Sequence, residues 1–226
     1  MILSSKNPIR RAVLFDLDGT LADTAPDLAF ALNETLMHFG RDPLPYEPIR
    51  DVVSHGGTAL IRLGFGIEPD EENFEAYRQF LLDIYKNNLC RETKLFHGMD
   101  DLLSHLESED IPWGIVTNKP SWLTDPLMEK MGLNIRACCI VSGDTCERNK
   151  PHPDPILYAC KQSNINPANC FYVGDAARDI EAGKAAGCTT VTALFGYIHD
   201  DDKPEQWQAD YNITHPVDMI DILASQ

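Results

Sequence analysis

Residues 12–15, Ala-Val-Leu-Phe, are apolar with no polar alternation, so the strand they form must be covered on both faces. Further runs of strand length, 112–117, 137–142, 169–174 and 189–195, share this character. Between them lie stretches with helical spacing. Met99, Leu102, Leu103 and Leu106 fall on one face of 99–109, Ile156, Leu157 and Cys160 fall together, and "ARDIEAGKAAG" stops on Gly187. A parallel connection must cross over the sheet, and its helix lands on one face. Alternating strands and helices therefore predict an α/β fold with a parallel sheet covered on both sides.

One gap is too long for a single crossover. From about 24 to 96 the pattern is helical only: Leu28, Ala31, Leu32 and Leu36, then Phe74, Tyr77, Phe80, Leu81 and Ile84, with prolines and glycines between. The expected organisation is a core of residues 1–23 and 97–226 with a helical insert at 24–96. "FEAYRQFLLDIY" reads as the interior of that insert and Arg62 as a surface arginine. His55, Gly56 and Gly57 lie where an insert loop can meet a ligand.

The formal charge of -16 removes the basic surface that nucleic acids or anionic membranes require, but leaves room for a small anion whose charge a cation offsets. No apolar run approaches the ~20 residues of a membrane span. The first residues do not read as a secretory signal, and the seven cysteines include no C-x-x-C pair. A cytoplasmic protein with reduced thiols, monomeric or homodimeric, is expected.

In parallel α/β sheets, ligands bind beyond the carboxyl ends of the strands. Those ends carry Asp16, Asp18, Gly19 and Thr20; then Thr117, Asn118 and Lys119; then Lys150 in "NKPHPDP"; and then Gly174, Asp175, Arg178 and Asp179. Clustered carboxylates stay ionised only beside a cation, and oxygen-only ligands that must also admit a phosphate favour Mg2+. Asp16 is suited to attack phosphorus, and Asp18 to protonate the leaving oxygen and then deprotonate water. Thr117, Asn118 and Lys150 are the candidates for holding the phosphoryl oxygens. Lys119 reads as solvated, and Arg178 as an ion-pair partner beside the site.

"DLDGT", the threonine after "WGIV", the lysine of "NKPHPDP" and "GDAARD" together resemble the four motifs of the haloacid dehalogenase-like superfamily. The resemblance implies a Rossmann-like core with an inserted helical cap, Mg2+ and an aspartyl-enzyme intermediate. It makes Asp16 nucleophile and metal ligand. Asp18 becomes the acid/base, lending its backbone carbonyl to the metal. Asp175 becomes a ligand, and Asp179 a ligand or a support for one. The substrate implied is a small phosphorylated metabolite. "IRDVVSHGG", "LFHGM" and "GYIHDDDKPEQWQAD" are similar to the phosphoglycolate phosphatase-like branch, including the bacterial N-acetylmuramic acid 6-phosphate phosphatases. A sugar-phosphate mutase shares all four motifs and stays open as an alternative.

Overall fold

The computed structural model describes residues 11–225; the opening residues read above for an export signal lie outside them. The chain runs β1 (Ala12–Phe15), β2 (Ala22–Asp23), α1 (Ala25–His38), α2 (Tyr46–Arg50), a 3-10 turn (Val53–His55), α3 (Gly56–Phe65), α4 (Phe74–Asn87) and β3 (Lys94–Leu95). It continues through α5 (Met99–Ser108), β4 (Trp113–Val116), α6 (Ser121–Lys130), β5 (Ile140–Val141) and α7 (Asp154–Gln162). After a second 3-10 turn (Pro167–Asn169) come β6 (Cys170–Gly174), α8 (Ala177–Ala186), β7 (Thr189–Ala193), α9 (Pro204–Trp207), β8 (Tyr211–Ile213) and α10 (Asp218–Ala224).

Six strands form one sheet in the order β5-β4-β1-β6-β7-β8, every pair parallel. The double burial of β1 is literal: Val13 and Phe15 belong to one apolar cluster, Ala12 and Leu14 to another. The chain leaves β1 toward β4 and β5, then returns to β6 on the other side. β1 therefore stands at the point where strand order reverses, which opens a crevice at its carboxyl end.

The fold is α/β as expected, with differences in the strands: the two-residue β2 and β3 were not foreseen, and β3 falls in the stretch read as helical only. The run 137–142 is a strand only at Ile140–Val141, although Cys138 and Cys139 also exchange backbone hydrogen bonds with β4, and β8 was not foreseen. β8 is a three-residue edge strand with a polar centre, Tyr-Asn-Ile, too short to show periodicity.

The helices α1–α4 are inserted after β2 and return through β3. The two crossings pair with each other as an antiparallel ribbon, Ala22 with Leu95 and Asp23 with Lys94. Buried Asp27 secures the returning chain: its carboxylate accepts the N–H groups of Arg91 (3.0 Å), Glu92 (2.8 Å) and Thr93 (3.2 Å) and the Thr93 hydroxyl (2.6 Å). Inside the insert, Leu32, Leu36, Leu60, Ile61 and Leu81 are fully or almost fully buried and continue the cluster beneath β1. Among the described residues no helix is long and apolar enough to cross a membrane.

Candidate active site

The reversal of strand order delivers the chemistry. Asp16 follows β1, Thr117 follows β4 and Asp175 follows β6, all on the same sheet edge. Carboxylate oxygens of Asp16, Asp175 and Asp179 lie within 4.8 Å of one another, and all three residues are buried. Burial and the neighbouring charges of Asp16 and Asp179 push the Asp175 carboxyl up to about 7. Burial raises Asp179 as well, against the pull of Lys150. Such a set of hard oxygen donors fits a divalent cation of the Mg2+ or Ca2+ kind and gives a soft metal no ligand.

Asp175 is built in closely. Its Oδ2 accepts the Tyr197 N–H (2.9 Å) and the Ser54 hydroxyl (2.8 Å), and its Oδ1 accepts the Thr20 hydroxyl (3.2 Å). The backbone at Gly19 has φ +87°, and a Cβ there would meet Asp175 Oδ2 at 2.1 Å. A Cβ at Gly196 would lie 2.3 Å from Asp175 Cβ. Only glycine permits either approach. Ser54 Oγ also reaches the Asp18 carbonyl oxygen at 3.4 Å, so that carbonyl and Asp175 converge on one hydroxyl from the insert.

Lys150 is enclosed by four oxygens: Asp16 Oδ1, Asp179 Oδ1 and the Tyr172 hydroxyl at 2.8 Å, and the Val116 carbonyl at 2.9 Å. An ammonium has three N–H donors, so one of these contacts is shared or spare. The Asn118 side chain fixes the segment that carries Lys150. Its amide donates to the Lys150 carbonyl (2.9 Å), and its oxygen accepts the Lys150 N–H (3.1 Å). Asn118 thus has its amide committed to Lys150, although the residue borders the same cavity as Asp16 and Thr117. Both Asp179 oxygens are also engaged, Oδ1 by Lys150 and Oδ2 by the Ala176 N–H at 3.1 Å.

The Asp18 carboxylate stands outside the three-carboxylate cluster but lines the same cavity as Asp16. Its Oδ1 accepts the Thr24 hydroxyl (2.6 Å) and the Lys119 ammonium (2.7 Å). Lys119 is therefore not solvated: its side chain is 6% exposed, paired with Asp18 and set 4.7 Å from the centre of the Tyr85 ring. Sequence spacing gave no sign of this, because the partner lies 101 residues away. Arg178 also departs from expectation. It reaches across to the insert and donates to the Ser54 carbonyl at 2.8 Å.

A cavity of about 340 Å3 opens between the sheet edge and the insert. Its floor is Asp16, Asp18, Thr117 and Lys119; its roof includes His55, Gly56 and Gly57, the insert residues picked out by position alone. Arg78, Leu82 and Tyr85 of α4 border it too, so "FEAYRQFLLDIY" lines the cavity as well as filling the insert interior. Arg62 lies apart, exposed and paired with Glu68.

Residues 13–193 match the haloacid dehalogenase-like hydrolase family. The chain is 40% identical over 95% of its length to an N-acetylmuramic acid 6-phosphate phosphatase of Pseudomonas putida, covering 96% of that protein. It is also 40% identical over 91% of its length to a phosphoglycolate phosphatase of Xanthomonas campestris, covering 93%. A crystal structure described as a predicted phosphoglycolate phosphatase from Haemophilus somnus superposes with a TM-score of 0.84 at 25% identity, across 95% of this chain and 98% of that one. The family match begins within β1 and ends with β7, taking in the whole carboxylate cluster, its lysine and the insert above them, and the chain belongs to the haloacid dehalogenase-like hydrolases.

Proposed function

We propose that this chain is a Mg2+-dependent phosphomonoesterase that hydrolyses a small phosphorylated metabolite, N-acetylmuramic acid 6-phosphate, through an aspartyl-phosphate on Asp16. The observation that carries this reading is the meeting of Asp16, Asp175 and Asp179 around a single point, with Lys150 bound to two of them. A divalent cation held by Asp16, Asp175 and the Asp18 carbonyl, with Asp179 in support, supplies the charge that lets a phosphate dianion approach these acids.

The chain's own groups divide the work. Asp16 Oδ1 is pinned by the Leu17 N–H (2.8 Å) and by Lys150, so its other oxygen is the one presented for attack. Lys150 and the Thr117 hydroxyl hold the phosphoryl oxygens as charge moves onto them. Asp18, oriented by Thr24 and Lys119, protonates the leaving oxygen and then takes a proton from the attacking water. Asn118 and Asp179 act on substrate indirectly, by fixing the segment and the ammonium of Lys150.

Residues 24–96 serve as a cap over the core formed by 1–23 and 97–226, closing on substrate to exclude water and opening for release. Ser54 and Arg178 are the contacts that closure makes and opening breaks.

The choice of substrate is supported by the Pseudomonas putida relative. The Xanthomonas campestris relative favours a second reading, 2-phosphoglycolate. Phosphate release from both compounds, side by side with Mg2+ and with chelator, tests the proposal. Metal-dependent release from the muramic acid ester above all others supports it. Conversion to an isomeric phosphate without free phosphate makes the protein a mutase instead.

A further inference from the structure

Arg78, Leu82 and Tyr85 occupy positions i, i+4 and i+7 of α4, and all three line the roof of the cavity. The stripe has two unlike ends. Tyr85 marks the catalytic end, its ring beside the Lys119 ammonium that grips Asp18. Its hydroxyl is buried and has only the Lys119 ammonium, itself a donor, beside it, so among the described residues its own proton meets no acceptor. Burial keeps it a phenol, with a proton to donate and nothing to receive it.

Arg78 marks the outer end. A Cβ on Gly57 would lie 3.6 Å from Arg78 Cγ, so the first turn of α3 sits against the arginine stem. That turn has no side-chain cap and no acidic residue, and Gly56, Gly57 and Thr58 line the cavity; the Gly56 N–H is bonded to the Val53 carbonyl, and the positive end of the helix dipole lies at the cavity wall. Arg78 is turned to Glu75, at 2.7–2.8 Å, but this pair is open to water, with side chains 34% and 67% exposed. Such a surface pair is weak and readily exchanged for a less exposed carboxylate.

Seven residues of helix separate the two ends by about 10 Å. On the proposed phosphatase reading, we infer that the outer end of this stripe, Arg78 with the first turn of α3, binds a carboxylate remote from the phosphate, while the Tyr85 hydroxyl bonds a polar group close to the scissile ester. The site would then select phosphomonoesters whose acid stands far from phosphorus. The lactyl acid of N-acetylmuramic acid 6-phosphate lies across the sugar ring from its phosphate. The acid of 2-phosphoglycolate, one methylene from its ester oxygen, cannot reach Arg78 while its phosphate is against Asp16.

The test is a binding measurement that needs no turnover. Asp16→Asn protein with Mg2+ is titrated calorimetrically with N-acetylmuramic acid 6-phosphate and with N-acetylglucosamine 6-phosphate, the same sugar without the lactyl acid. The expected Kd ratio is tenfold or more in favour of the acid, the size of one charge-assisted hydrogen bond. Adding Arg78→Gln should collapse the ratio toward one, Arg78→Lys should restore part of it, and Tyr85→Phe should weaken both sugars while keeping the ratio. Equal affinities for the two sugars, or a ratio that survives Arg78→Gln, overturns the inference. Failure of the phosphatase reading looks different: the wild-type protein would release no phosphate from either sugar, whatever the ratio of affinities.

Discussion

Lys150→Met replaces the enclosed ammonium with an apolar chain of similar length. Asp16 and Asp179 then lose a partner at 2.8 Å, and the Val116 carbonyl and Tyr172 hydroxyl lose a donor. The lysine and Asp179 side chains are 0% exposed and Asp16 is 4% exposed, so water cannot take over. Breaking a buried pair from one side costs about 3–5 kcal/mol. In a chain of this size each kcal/mol moves Tm by about 2–4 °C, so a fall on the order of 6–20 °C is expected in chelator. Mg2+ should recover more of that loss in the variant than it adds to wild type, because it returns positive charge to the same acids. Asp179→Asn on top of Lys150→Met should also recover part of the loss by removing one stranded charge. Activity should drop by about 10²–10³-fold through loss of a charge that faces the phosphoryl group. Melting curves for the single and double variants, with and without Mg2+, read all of this. A Lys150→Met protein that melts within about 2 °C of wild type in chelator would refute the reasoning.

Other outcomes follow from the same geometry. Gly19→Ala places a methyl where Asp175 Oδ2 stands and forces an L-residue to φ +87°, so the Mg2+ concentration for half-maximal activity should rise at least tenfold; an unmoved activation curve contradicts the assigned role of Asp175. The Asp175 carboxyl is held near 7 in the fold against about 3.9 when unfolded, so the native state binds the extra proton between those values. Metal-free protein should therefore lose on the order of a few kcal/mol from this group as pH rises from 4 to 7. That loss should be absent in Asp175→Asn, and thermal melts across pH in chelator would show a steeper decline for wild type than for the variant. Ser54→Ala removes a hydroxyl of the insert from Asp175 and the Asp18 carbonyl, and should raise KM more than it lowers kcat; steady-state kinetics showing the reverse would detach Ser54 from closure.

The carboxylates were legible in the sequence because two rules converge on them. An unalternating strand must lie inside a parallel sheet, and ligands gather where such strands end. Asp16, Thr117 and Asp175 each stand one residue past a strand, where spacing along the chain is enough to find them. The partnership of Lys119 with Asp18 was not legible, because a long-range ion pair leaves no periodic trace. The same holds for Tyr197: its N–H donates to Asp175 and its hydroxyl donates to Asp23 and accepts the Ala25 N–H, tying the site to the root of the insert. The stripe on α4 was missed for a different reason. Arg78, Leu82 and Tyr85 share the spacing of a helix that simply buries one face, and only the cavity beneath tells a cavity-lining face from a packed one.

Asp16 as the atom donor to phosphorus is the claim on which the rest depends, and rapid quenching with substrate labelled in its phosphate tests it most directly. With Mg2+, acid quench within one turnover should yield protein-bound label that hydroxylamine releases and that maps to the peptide containing Asp16, and Asp16→Asn should carry none. Turnover that proceeds with no label on Asp16 would contradict the account.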